Sequence, residues 1–461
     1  MVRPPLSFSA ITTLLLAVAC GGGGPQEPPT EAPTSDAVLY EGFRLITGDE
    51  RAPVEGAAFL VDGGIIQAVG LRGDLGLPPG AVRVDLIEKT VMPALVSLHG
   101  HPGFQVGLTF KADNYTRKTV SDHLDRYAYY GVGTIVSLGT DGGDLVYEIK
   151  DNQADGTLGG ARLLTAGGGI ARPNAGPNSP AMRPSALGVS TVDEARAAVQ
   201  ELASRGVDVV KIWVDDRGGS VAKLSPELSA AIIEEAHVRD LQLIAHVFYA
   251  ADAVELVEQG VDGFAHLARD QEMSSELVAA IARRGVFVMP NLAIPERMTY
   301  TEPPAWLDDP LLHESITPDV IERAKESFTD RSAAAAADAR KTWDYMQASL
   351  VKLKEAGVTL VLGADSGGVI DTFIGHTELR ELELMVNAGL TPNEAIMAST
   401  SVSANTVGIE AGLLTAGKSA DFIVLDANPL DDIANARQID QVFLKGIKVD
   451  RDGLRRRWTG R

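Results

Sequence analysis

Between about residues 92 and 405 the chain alternates short apolar runs with longer stretches in which apolar residues recur every three or four positions. The runs are Leu95–His99, Thr134–Leu138, Arg162–Ala166, Val209–Trp213, Leu243–Val247, Gly263–His266, Val286–Pro290 and Leu360–Gly363, all of strand length. The stretches between them, among them Val192–Ser204, Pro226–Arg239 and Ser332–Ala356, read as amphipathic helices. Eight strands alternating with helices predict an α/β fold, a parallel (β/α)8 TIM barrel. A doubly wound open sheet is the alternative. It is weakened because no Gly-x-Gly-x-x-Gly opens a helix after a strand.

The two ends have another texture. Ala37–Tyr40, Ala57–Val61, Ile65–Val69 and Ala81–Val84 are strand-like, and Asp62-Gly63-Gly64 is a hairpin signal between two of them. Asp421–Leu425 and Gln441–Val449 repeat the pattern near the C-terminus. The expected organisation is a small β-sandwich composed of residues 37–91 and 406–461, flanking a barrel over 92–405. Ahead of it, residues 1–19 read as a signal peptide: Arg3, an apolar run from Phe8 to Ala19, and small residues at Ala17 and Ala19. The run is too short to span a bilayer. Leu16-Ala17-Val18-Ala19-Cys20 resembles the lipobox of bacterial lipoproteins, which implies lipidation of Cys20 and an exported, lipid-anchored protein. Cleavage by ordinary signal peptidase is the alternative. Residues 20–36, rich in Gly and Pro, then form a flexible linker.

Composition narrows the chemistry. Over 461 residues, 41 Lys and Arg stand against 62 Asp and Glu, a formal charge of −21. Such a surface argues against nucleic acid as a partner, and against a membrane except through the anchor at Cys20. A small-molecule substrate is expected, and a homo-oligomer is left open. A single cysteine excludes an intrachain disulfide and a thiolate-rich zinc site. Any metal must be held by histidine and carboxylate.

Of eight histidines, four fall at strand ends within the proposed barrel. His99 and His101 are two apart, so an extended chain points both rings to one side. His246 and His266 end two runs separated by one short helical stretch, the spacing of neighbouring barrel strands. Singly, each is as readily a core histidine; four on one rim favour a metal site. Asp365, directly after the last run, suits a ligand and proton acceptor, or a helix N-cap. Lys211 lies inside Val209–Val214, where an ammonium group is costly unless it is paired, snorkelled to solvent or chemically modified. His376 follows the last run, while Tyr249 and Arg172 lie just past strand ends; all three are candidates for substrate contact. His123 and His237 fall in helical patterns and read as surface groups, and His313 reads as a loop residue without a role.

His99-Gly100-His101, Lys211, His246, His266 and Asp365, in this order, resemble the metal-site elements of the amidohydrolase superfamily. So do Asn387–Ala395 and Gly417–Asp426, which are similar to segments of its imidazolonepropionase-like and Xaa-Pro-dipeptidase-like members. The resemblance runs from about Leu39 to Val449. It implies a metal-dependent hydrolase of carbon–nitrogen bonds in which His99, His101 and Asp365 hold one divalent ion and His246 and His266 a second. A Lys211 carboxylated by carbon dioxide, together with a hydroxide, would bridge the pair. Zinc suits these ligands, with manganese, iron or cobalt open. Dipeptides, N-acyl amino acids and lactams are the implied substrates. A mononuclear ring hydrolase or deaminase, and a binding lipoprotein without activity, are the alternatives. Two departures stand out: Ser97 occupies a place where many members have Asp, and Gly100 one where a larger residue is common.

Overall fold

The computed structural model describes residues 36–329 and 331–460; the signal segment, Cys20 and the linker up to residue 35 lie outside the described residues. The apolar runs form a closed parallel barrel. Its first strand, Leu95–Gly100, pairs with Val132–Ser137, which pairs with Arg162–Thr165. Val210–Val214, Leu243–Val247, Gly263–Ala265 and Phe287–Met289 continue the ring in order. The two arcs meet where the Asp208 N–H donates to the Thr165 carbonyl at 2.8 Å.

The eighth run departs from expectation, because Leu360 to Ser366 is not a continuous strand. It closes the barrel through isolated bridges, Val288 with Leu360 and Gly100 with Ser366, and through the Leu98 N–H on the Leu362 carbonyl at 2.8 Å. Breaking regular pairing here lets Asp365 adopt a left-handed φ of 55° and turn its side chain over the rim.

The barrel interior is packed by Val96, Leu98, Val136, Leu164, Ile244 and Met289, all buried. Each such side chain contributes about 1.5–3 kcal/mol when withdrawn from water. Helices begin where capping residues place them. Thr191 accepts from the Glu194 N–H in a capping box that opens Val192–Ser204, and Ser225 caps Pro226–His237 with proline in the first turn. Short strands at Ile170–Ala171 and Leu187–Gly188 and a C-terminal helix, Arg451–Thr459, were not signalled by the hydrophobic pattern.

Both chain ends join one eight-stranded mixed sheet, in which Thr90–Pro93 pairs with Phe422–Leu425 and links N-terminal to C-terminal strands. Gly63 and Gly64, with φ of 56° and 77°, make the tight turn between Val54–Asp62 and Ile65–Leu71. Phe59 and Phe422 lie on strands three apart in sheet order, yet their rings are 5.0 Å apart. The sheet therefore curls around an aromatic core that also holds Tyr40 and Phe443.

Candidate metal centre

The C-terminal ends of the first, fourth, fifth, sixth and eighth barrel positions converge on one cluster. His99 and His101 approach with their Nε2 atoms 3.2 Å apart. Asp365 Oδ1 lies 3.4 Å from His99 Nε2 and 2.9 Å from His101 Nε2. Its other oxygen, Oδ2, is 3.9 Å from His266 Nε2. Four donors bound at ~2.1 Å in a tetrahedral array lie ~3.4 Å from one another, so these spacings fit a shared cation. Donor atoms of His99, His266 and Asp365 also fall within 4.8 Å of one another, a second grouping that shares two residues with the first. His246 packs edge-on against His266, with ring centroids 4.6 Å apart. The Asp365 N–H donates to the His99 carbonyl at 2.9 Å, which locks the carboxylate loop to the His-x-His strand.

A surrounding layer orients the rings. Asn291 Oδ1 lies 3.3 Å from His99 Nδ1 and accepts from the His266 N–H at 3.0 Å, tying two ring-bearing strands together. Thr140 Oγ1 is 2.9 Å from His101 Nδ1, and Asp215 Oδ2 is 3.4 Å from His246 Nε2. Engaging Nδ1 of His99 and of His101 leaves Nε2 of each for a cation.

Lys211 is buried on the fourth strand, and its Nζ has no hydrogen-bond partner among the described residues. Burial lowers the amine to about 7, partly opposed by the Asp365 charge. Burial likewise pushes His99, His246 and His266 down, so these imidazoles are neutral and offer lone pairs. For Asp365, burial alone would raise the carboxyl. Interaction with the His99 and His101 imidazoles, including a hydrogen bond from His101, and the charge of Arg269 outweigh it and hold the group well below the usual carboxylate range.

A cavity of about 450 Å³ opens over the cluster. Its walls include His99, His101, His246, His266 and Asp365 together with Trp213, and two arginines, Arg269 and Arg297. Orphaned donors, neutral imidazoles at ligand spacing and a buried carboxylate fit a cation site and make a poor apolar core.

Comparison with known proteins agrees with this geometry. The description of the amidohydrolase family matches residues 90–449. The chain belongs to the amidohydrolase family. Ochratoxinase of Aspergillus niger is 27% identical over 475 residues, covering 94% of this chain and 90% of that protein. The crystal structure of an Xaa-Pro dipeptidase with bound methionine superposes with a TM-score of 0.72 at 22% identity, over 89% of this chain and 99% of that one. The A. niger ochratoxinase structure gives 0.70 at 21%, over 90% and 95%. This amidohydrolase is thus a hydrolase acting on carbon–nitrogen bonds, built on a (β/α)8 barrel with a β-rich module.

Three of the expected substrate contacts do not line the cavity. His376 is buried at the start of helix His376–Asn387, bonded to Asp309 at 2.9 Å and packed near Trp306 and Tyr130. Arg172 turns back to donate to the Val189 carbonyl at 3.0 Å. The Tyr249 hydroxyl donates to Asp216 at 2.8 Å, outside the cavity wall. In each case a nearby acceptor outcompetes the open rim. His123 also differs from expectation: it is buried, accepting from the Gly103 N–H at 2.9 Å and reaching the Gln105 carbonyl at 2.8 Å. His237 pairs with Asp262 at the surface, and His313 bonds the Leu307 carbonyl. Conversely, Asn291, Thr140, Asp215, Arg269 and Arg297 belong to the site or its support. Their one signal in the sequence is position: Thr140, Asp215, Arg269 and Asn291 follow barrel strands within four residues, and Arg297 comes eight after Met289.

Gly100 now has a physical reason. A Cβ there would collide with the Tyr127 hydroxyl, which is bonded to Ser366 Oγ at 2.7 Å, which in turn donates to buried Glu378. This chain of groups lies directly behind Asp365. Gly100→Ala is expected to push Tyr127 aside and loosen Asp365, lowering kcat/KM by ~10- to 100-fold while the protein stays folded by circular dichroism. An unchanged kcat/KM would show that the Tyr127–Ser366–Glu378 chain does not position the carboxylate.

Proposed function

We propose that this protein is a binuclear metal-dependent hydrolase that cleaves the amide bond of dipeptides or N-acyl amino acids. The observation that carries the reading is Lys211: a buried amine on the fourth strand, without a hydrogen-bond partner among the described residues, close enough to Asp365, His99, His246 and His266 to act on them electrostatically. An isolated amine there has no structural use, whereas its carbamate is a two-oxygen anion suited to lie between two cations. Carboxylation is balanced by the neutral amine adding to carbon dioxide and releasing one proton.

His99, His101 and Asp365 would hold one ion, His246 and His266 the other, with carboxylated Lys211 common to both. When bound, divalent ions such as zinc or manganese acidify water and polarise a carbonyl. The protein's own part is positional and acid–base. Asp365 accepts the proton from the attacking water and delivers it to the departing nitrogen, a role suited to a carboxylate that stays ionised. Asn291 and Thr140 hold the His99 and His101 rings with Nε2 free for a cation. The apolar wall formed by Trp213, Met182 and Ile294 excludes water from the reacting side. A mononuclear ring hydrolase leaves the Lys211 amine unexplained.

The sequence further supports an exported protein tethered through Cys20, with a β-sandwich module over 37–91 and 406–461 beside a barrel over 92–405. The test of activity is a panel of dipeptides, N-acyl amino acids, lactams and lactones with zinc- or manganese-loaded protein. Turnover of the linear amides is expected. Turnover confined to lactones or cyclic substrates would overturn the reading.

A further inference from the structure

Arg269 is a charged group whose guanidinium has no hydrogen-bond or ion-pair partner among the described residues. It sits three residues after His266 and lines the cavity over the cluster. Its Nε and Nη2 are sealed from solvent and have no hydrogen-bond acceptor among the described residues. Asp365 and Asp215 act on it only through space, and no carboxylate of the described residues stands within ion-pair distance. Its backbone is held firmly: the Arg269 N–H donates to the Phe248 carbonyl at 2.8 Å, and neighbouring Asp270 accepts from the Ala250 N–H at 2.9 Å. The loop after the sixth strand is thereby pinned to the loop after the fifth.

The second cavity arginine behaves differently. Arg297 donates to Asp371 at 3.0 Å, and Arg331 donates to the same carboxylate at 2.8 Å. Arg297 therefore has a carboxylate partner, which it shares with Arg331, whereas Arg269 has none among the described residues. Leaving a guanidinium with unmet donors in a largely enclosed place costs free energy unless an anion arrives to meet it. The planar fork of arginine suits a carboxylate that accepts two N–H groups at once. The rest of the wall includes Phe110, Met182, Trp213, Ile294 and Ile370, which offer contact to apolar groups.

We propose that Arg269 is the specificity-determining anchor for a substrate carboxylate, and that this carboxylate belongs to the amino acid released on hydrolysis. In an N-acyl α-amino acid the carboxylate is separated from the scissile nitrogen by one carbon. An anchor on the same short loop as His266 meets that requirement. The acyl half then lies against the apolar wall, so bulky aromatic or aliphatic acyl groups are preferred over charged ones. This rests on the proposed cleavage of linear amides and specifies which of them are substrates: those with a free α-carboxylate.

The experiment compares N-benzoyl-L-phenylalanine with its C-terminal carboxamide, using zinc-loaded wild type, Arg269→Met and Arg269→Lys. Wild type is expected to favour the free acid over the carboxamide by ~100-fold in kcat/KM, the size of a desolvated charge pair. Arg269→Met is expected to lose ~100-fold more on the acid than on the carboxamide, the excess loss falling mainly on KM. Arg269→Lys should recover part of the loss. Binding of L-phenylalanine and L-phenylalaninamide, measured by calorimetry, gives a readout apart from turnover; only the acid should bind, and only when Arg269 is present. Equal turnover of acid and carboxamide by wild type, or equal losses on both in Arg269→Met, would overturn the anchor while leaving the hydrolase reading intact. Hydrolysis of neither compound counts against linear amides as substrates, and calorimetry still decides the role of Arg269.

Discussion

Asp365→Asn is expected to lower kcat by ~10³-fold or more in metal-loaded protein while retaining at least half of the bound metal. The two losses separate because the residue is proposed to do two things. As a donor, it offers Oδ1 at 3.4 Å from His99 Nε2 and 2.9 Å from His101 Nε2, and an asparagine carbonyl oxygen can take the same place. As a base, it must accept a proton, and the neutral amide cannot. General acid–base assistance is worth ~10²- to 10⁴-fold, so a deficit in that range belongs to proton transfer. The pH profile adds a check. Interaction with His99 and His101 and the charge of Arg269 hold the Asp365 carboxyl below the usual carboxylate range, so in wild type this base stays ionised where a free carboxyl would begin to protonate. Acid losses of activity above that range belong to protonation of imidazoles or of the Lys211 amine. A variant within tenfold of wild-type kcat would remove Asp365 from proton transfer.

How much of this was legible in the chain depends on what each residue does. Residues that both end a strand and carry chemistry were visible, because strand periodicity and ligand type converge on them: His99, His101, Lys211, His246 and His266 all ride on regular barrel strands or their immediate ends. Asp365 was visible by type and place, yet the element beneath it was not, since 360–366 closes the barrel without regular pairing. A β-rich module built from both termini was legible in its short apolar runs and the Gly63-Gly64 turn, whereas the curl of its sheet was not. What failed were side-chain directions in loops. Tyr249, Arg172 and His376 all stand near the rim in sequence, but an acceptor elsewhere captures each one: Asp216, the Val189 carbonyl and Asp309. Asn291 and Arg269 show the reverse. An asparagine and an arginine carry no periodic signal, and only three-dimensional closure brings them beside the rings. Gly100 looked like a departure from its relatives and proves to be a steric requirement imposed by Tyr127.

Lys211→Met is the second decisive substitution, and its two expected effects run in opposite directions. In metal-loaded preparations the variant is expected to lose at least half a metal equivalent relative to wild type, measured by elemental analysis, and ~10³-fold in kcat/KM. In metal-free preparations it is expected to be more stable than wild type by on the order of 1–3 kcal/mol in urea denaturation. Both follow from one fact: the amine is buried on Val210–Val214 with no acceptor for its protons among the described residues. The stem is held tightly, because Gly139 leaves room only for Lys211 Cβ and Cγ, and the indole of Trp213 lies beside it, 5.7 Å from Nζ to ring centre. Methionine fills nearly the same volume without a charge to desolvate, so the unloaded barrel gains. The pH dependence has a definite sign. The amine titrates near 7 when folded, below its value in the unfolded chain, so its contribution favours folding at high pH and is lost as pH falls toward 7. The stability advantage of Lys211→Met over metal-free wild type should therefore be larger at pH 7 than at pH 10. A variant that keeps both metal equivalents removes the bridging role; one that gains no stability when metal-free removes the claim that this lysine is retained at a structural cost.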